Sequence, residues 1–359
     1  MRLSGDTGLW STGVAPAAGP PALVLEVSGA VLSWPADGDA ADPPAITFTD
    51  HHRADWLWRI VGESGHVALV EALRHRGLDR PVEVAAEVRP ESTEMLRRLA
   101  FGHWLRRWWP ASARDGIVAL DGAVLAAEIA LLTVAAEDYF TDDTLDSDVL
   151  GLLAPHLTAL NALADNGDPR VAALVERCRE LAAEIGLDWQ AAAVPRRQDY
   201  ALAAGGSAAS PTGLIARGTA SVAWSAVPPG VFDAAEDTID WSVASGGDGV
   251  TAAVQVALSG GDTPAGIAVA LRTGGCAGSG VLDVDGRAVL ALRGQDGQPL
   301  TETQAWNQDW SGTAVRVGAE GGAEDAATRH RVRAVARARL AEPGAGAFLA
   351  EVLAAESDY

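Results

Sequence analysis

The hydrophobic period of this chain changes most sharply around residue 200. Over about 90–190 the apolar patterns recur at helical spacing, and over about 214–318 they alternate. A helix needs a period of about 3.6 residues and a strand a period of 2, and one segment cannot satisfy both. The chain must therefore fold as parts of different class. Between them, 191–213 carries the run Ala-Ala-Gly-Gly-Ser-Ala-Ala-Ser-Pro-Thr-Gly, the composition of a linker.

The fold class expected is α+β multidomain. Residues 1–90 read as a mixed α/β region and 91–190 as a helical region packed on it. A seven-stranded immunoglobulin- or fibronectin-like β-sandwich follows the linker over 214–318, and 319–359 closes the chain as helices. In the first region 23–27, 30–34, 46–49 and 82–88 read as strands, and 55–61 and 66–76 as helices. In the second, Phe101, Trp104, Leu105 and Trp108 fall on one helical face that Pro110 ends. A helix starting at Asp121 is apolar nearly all round, the mark of a central, buried helix. Asp168-Pro169 and Gly186 bracket another. In the last part alternation over 220–225, 239–243, 250–258, 267–271, 281–284, 288–292 and 315–317 supplies the seven strands. Asp285-Gly286 is the strongest hairpin signal, and the glycine-rich run 274–280 reads as a turn.

Charge narrows the function. The chain holds 48 acids and 27 bases, for a net charge of −21, and every base is arginine. Without lysine there is no Schiff-base nucleophile and no P-loop. The acidity argues against nucleic acid as a partner. No apolar run reaches the roughly 18–20 residues that a membrane crossing needs, and 1–20 offers no signal-peptide core, so neither membrane nor secretion is expected. Two distant cysteines, Cys178 and Cys276, cannot frame a disulfide scaffold, which fits a reduced, cytoplasmic protein.

Four constellations could carry chemistry. Asp142, Asp143 and Asp146 spell DDxxD, which resembles the magnesium–diphosphate motif of terpene synthases and prenyltransferases. That resemblance would imply an all-helical bundle with a second metal motif, and the chain offers neither. The run is therefore read as a junction whose aspartates favour the start of the next helix, with no metal or cofactor expected. The second is the ridge 97–109, where His103, Trp104, Arg106, Arg107 and Trp108 could line a cleft for an anionic ligand or partner. The third is Glu128, a lone acid in the apolar helix. Buried, it must find a cation, and Arg106 or Arg107 is the expected partner. The fourth is the exposed-tryptophan loop with Trp306 and Trp310, together with the basic helix 326–340, where Arg333 and Arg337 share a stripe suited to docking.

The reading that follows is a non-catalytic binding, scaffold or accessory protein acting through protein–protein contacts. The alternative is an enzyme for an anionic substrate, sited between the 97–109 helix and the Glu128 helix, with Glu128 or His103 as acid/base.

Overall fold

The computed structural model describes residues 1–6, 8–39, 41–75, 81–137, 140, 149–189, 213–247, 249–260, 262–322 and 324–357. The DDxxD aspartates and almost all of the expected linker lie outside them. Contacts divide the chain into two units: Met1–Trp108, Leu120–Arg196 and Thr328–Tyr359 form the first, and Trp109–Ala119 and Arg197–Ala327 the second.

Unit 1 is built on one sheet of β1 (Arg2–Asp6), β2 (Leu9–Ser11), β3 (Ala22–Val27), β4 (Ala30–Pro35), β5 (Ala45–Phe48) and β6 (Val82–Glu83). The order is β3-β4-β5-β2-β1-β6, and every pairing is antiparallel. β3 to β5 stand where alternating apolar residues place them. β1 and β2 were not expected, because Arg-Leu-Ser-Gly-Asp and Leu-Trp-Ser carry too little alternation to announce a strand. The expected strand over 82–88 shrinks to β6.

Helix α1 (Trp58–His75) is broken at Gly62, which takes φ 75° and ψ 165°. The two helices read on either side of this point are thus two limbs of one kinked element. α2 (Glu94–Trp108) packs on β3 and α3 (Gly122–Glu137) on α2. Trp104 is buried, and its indole N–H donates to the Pro20 carbonyl at 2.7 Å, fixing α2 to the approach to β3. Asp121 Oδ1 accepts from the N–H groups of Ala123 and Val124 at 2.9 Å each and so starts α3. Val124, Ala127, Ile129 and Ala130 are all inaccessible to solvent, so α3 is the central helix its composition demands. Around it stand α4 (Val149–Leu153), α5 (Leu157–Asp165) and α6 (Pro169–Glu184), capped by Asp168.

Unit 2 holds β7 (Gly213–Ala220), β8 (Ile239–Gly246), β9 (Gly249–Val256), β10 (Ala268–Thr273), β11 (Cys276–Val281), β12 (Arg287–Ala291) and β13 (Arg293–Gly294). The short helix α7 (Glu302–Asn307) and β14 (Ala314–Val317) complete it. Two four-stranded antiparallel sheets, β12-β9-β8-β7 and β13-β11-β10-β14, contribute to one hydrophobic core that includes Trp241, Val254, Leu271 and Leu290. The strand count is eight rather than seven. The order also differs from an immunoglobulin layout, which changes sheet between its second and third strands; here β7, β8 and β9 are successive neighbours in one sheet. The last two helices, α8 (Ala326–Ala341) and α9 (Leu349–Ser357), have most or all of their residues in unit 1, where α9 packs on α3.

Three local readings are corrected. The strand expected over 220–225 lies upstream as β7. Trp224–Ala226 instead forms a turn whose N–H groups at Trp224 and Ser225 donate to the Glu324 carboxylate at 2.9 and 2.8 Å. The glycine-rich run contains a strand, β11. Gly278 and Gly280 are needed there because Leu292 and Leu290 fill the space their side chains would take, 2.9 Å from each ideal Cβ. Asp285-Gly286 does form a tight turn, with Asp283 Oδ1 accepting from the N–H groups of Asp285 and Arg287. That turn carries the chain from one sheet to the other, so it is a corner rather than the tip of a two-stranded hairpin.

The β3–β4 turn offers a test. Gly29 has φ 70°, and a Cβ there would sit 2.1 Å from the Asp50 carbonyl. Gly8 also has positive φ, but open space surrounds it. Gly29→Ala is expected to cost about 3 kcal/mol and Gly8→Ala about 1 kcal/mol, measured by urea unfolding of unit 1.

Candidate functional site

The acid on α3 meets a helix end. Glu128 has a side chain 12% exposed. Its Oε1 accepts from the N–H of Leu349 at 2.8 Å and its Oε2 from the N–H of Ala350 at 3.3 Å. These residues open α9, where the first N–H groups have no acceptor within their own helix. A carboxylate of one helix therefore caps another, and the positive end of α9 favours its charge. The nearby cation is Arg98, with Nη2 4.0 Å from Oε1.

The expected partners of Glu128 are elsewhere. Arg106 is exposed, and the Arg107 guanidinium lies 4.2 Å from the centroid of the Trp108 ring. The register of α2 explains the correction. Gly102 is a point of closest approach: Ile129 and Phe348 would each come within 3 Å of a Cβ placed on it. Arg98 sits one turn from Gly102 on the same face, and its guanidinium lies over the Phe348 ring at 5.3 Å. Phe348 immediately precedes Leu349, so Arg98 is the arginine brought to the carboxylate.

A second acid completes the arrangement. Glu351 of α9 is fully buried and accepts from its own helix's Phe348 N–H at 2.9 Å. Arg339 of α8 grips it with two bonds, Nε to Oε1 at 2.5 Å and Nη2 to Oε2 at 2.6 Å, and lies over the Phe101 ring at 4.2 Å. Two-pronged pairing of this kind gives geometry as well as energy. Phe348 and Glu351 carry half of a helix-start pattern, with a glutamate three residues after the cap position. Nothing in the sequence named Arg98 or Arg339 as the cations, because pairing across helices depends on packing.

Electrostatics follow the burial. Loss of water pushes the Glu128 carboxyl above its ordinary pKa; the Leu349 and Ala350 N–H groups and Arg98 pull it back, and Glu351 pushes it up. His103, half-buried on α2, is pushed below its ordinary value by burial and then by Arg106. Cys178 is fully buried, and burial raises its thiol to about 11, which leaves it unreactive. General acid or base chemistry needs a carboxylate oxygen facing substrate. Here the Glu128 oxygens face N–H groups at the start of α9, and the Glu351 oxygens face Arg339 and the Phe348 N–H, the arrangement of a clasp.

The remaining candidates separate. Trp104 is core and Trp108 is half-buried. Trp310 is half-buried against the unit 2 core, donating to the Ala305 carbonyl at 2.9 Å. Trp306, on α7, is 56% exposed. Arg337 is exposed, whereas Arg333 is only 6% exposed and is no part of a surface stripe. Val332 and Ala336 are buried on the same helix, and Arg333 lies beside them on that packed face of α8. Among the described residues no group of three or more His, Cys, Asp or Glu could hold a metal ion.

Removing the cap tests the clasp. Glu128→Ala leaves two helix-start N–H groups without an acceptor and is expected to cost about 2 kcal/mol, and Glu128→Gln, which keeps one acceptor, about half as much. The pH dependence has a definite sign. A carboxyl whose folded pKa is raised contributes stability that is fully present below its unfolded value of about 4.3 and is lost as pH rises through the folded value. The stability of wild type minus that of Glu128→Gln should therefore fall between about pH 4 and neutrality. Comparison of the chain with protein-family models, curated proteins and solved structures finds no match.

Proposed function

We propose that this is a non-catalytic binding or scaffold protein, an accessory component that works through protein–protein contacts made by unit 2. In this reading unit 2 is a two-layer β-sandwich module that serves the role of immunoglobulin- or fibronectin-like adhesion domains on a connectivity of its own. A cytoplasmic setting belongs to the same proposal, and the two buried, unpaired cysteines support it. No helix among the described residues is long and apolar enough to cross a membrane.

One contrast carries the reading. The groups from which an acid–base site would be assembled satisfy each other: Glu128 caps α9, and Glu351 is held by Arg339. Among the described residues of unit 2 the largest exposed apolar side chain is instead Trp306, on a helix fixed by a reciprocal cap between Thr301 and Gln304. Ser245 of β8 donates to Glu302 on the same helix at 3.0 Å, so the tryptophan stands on a rigid base. A large, amphipathic ring held rigidly at the surface is the residue type that anchors protein interfaces. The enzyme alternative, with Glu128 or His103 as acid/base, is less favoured because each Glu128 oxygen already accepts from a backbone N–H of α9.

A photo-crosslinking side chain tests this in the cells that make the protein. With benzoylphenylalanine replacing Trp306, discrete adducts to a protein partner are expected. The same replacement at Trp58, 45% exposed in unit 1, is expected to give none. Absence of adducts from position 306 contradicts the proposal.

A further inference from the structure

The outward side of the β12-β9-β8-β7 sheet is shaped. Strand register sets its side chains in rows. One row is Arg287, Gln255, Asp240 and Thr219, and the next is Val289, Ala253, Ser242 and Arg217. Thr251 and Ala244 continue the two middle strands. In the second row the middle strands bear the short side chains of Ala253 and Ser242 between Val289 and Arg217 on the outer strands, and in the first row Gln255 and Asp240 close one end. The result is a trough with a volume of about 810 Å³, floored by β8 and β9 and walled by β7 and β12. Three interstrand spacings put the wall strands about 14 Å apart, the width one extended chain needs between side-chain walls.

The chemistry of the walls is specific. Val289 is 70% exposed and Leu214 is 52% exposed, an unusual cost on a sheet face left to water. Arg287 uses one donor on Gln255, with Nε to Oε1 at 2.5 Å. Arg217 has no hydrogen-bond or ion-pair partner among the described residues. Two arginines against one aspartate make the trough basic in a chain of net charge −21. Guanidinium forks match carboxylates, and aliphatic walls match the apolar side chains that project every second residue from an extended chain. No aromatic ring faces the trough, since Trp241 belongs to the core side, so stacking of sugars or bases has no platform. Two cations are also too few to hold a phosphate backbone.

We propose that this trough seats one extended segment of a partner protein in which pairs of acidic residues alternate with pairs of aliphatic ones, so that each edge of the segment presents both to a wall. The inference rests on unit 2 being a binding module, and it uses residues other than Trp306.

The probe is a fluorescein-labelled peptide of repeating Glu-Glu-Val-Val, the length of β7 (8 residues), read by fluorescence anisotropy on the full chain. Saturable binding at low salt is expected. It should weaken at least about tenfold in Arg217→Glu/Arg287→Glu, as reversal of facing charges predicts. Ala253→Trp, which fills the floor, should do the same, while the melting curves of both variants stay those of wild type. A Lys-Lys-Val-Val repeat should not bind, and Trp58→Ala, in unit 1, should leave binding unchanged. Undiminished binding by both trough variants overturns the proposal. So does a polyuronate that displaces the peptide and binds more tightly, or a dimer in sedimentation that the charge reversal dissociates, since a glycan or a second copy would then be the occupant. Trough failure with adducts persisting at position 306 leaves the module reading standing. Peptide binding without those adducts removes the Trp306 contact and keeps the trough.

Discussion

The first turn of α9 is where the helical unit is tied together. A helix start exposes N–H groups that must find acceptors, and burying them without one costs several kcal/mol in total. Here the acceptors come from Glu128 on α3 and from Glu351 within α9. Each carboxylate then needs its own counterweight, which Arg98 supplies from α2 and Arg339 from α8. Four helices, distant in sequence, are thereby fixed by one polar cluster. Phe348, fully buried beside Gly102, packs against this cluster. At the far end, Arg170 at the start of α6 bonds both Asp168 and Glu356, tying α6 to the end of α9. That outer pair is solvent-exposed and adds little to stability.

This geometry bears on function. An acid in an apolar helix invites a catalytic reading, because buried carboxylates with shifted pKa cluster at active sites. Structural networks shift pKa as well, and the deciding question is what the oxygens face. At Glu128 they face backbone N–H groups of another helix. The shift therefore records burial of a cap.

How much of this could be read from residues alone follows from locality. The α3 helix was legible because every position of Val-Leu-Ala-Ala-Glu-Ile-Ala is apolar but one, and Asp121 marks its start. The inward residues of β8 and β9 were legible from alternation, which matches their burial, whereas the apolar run of β12 does not show that Val289 faces outward. β1, β2 and β11 were not, since serine, glycine and arginine in a strand signal nothing until a neighbour covers them. Glu128 was legible as an acid in need of a partner. Its partners were not, because two are backbone groups more than 200 residues away, where no side-chain pattern points. The trough was invisible for a similar reason: small residues on separate strands become a floor only when the register aligns them.

Amide hydrogen exchange at Leu349 and Ala350 tests the capping claim most directly. Both amides should exchange as slowly as the core of α3 in the wild type, and both should become fast in Glu128→Ala while α3 stays protected. Fast exchange at these two amides in the wild type, with α3 protected, would show that Glu128 does not cap α9 and would return it to the list of groups free to act on a ligand.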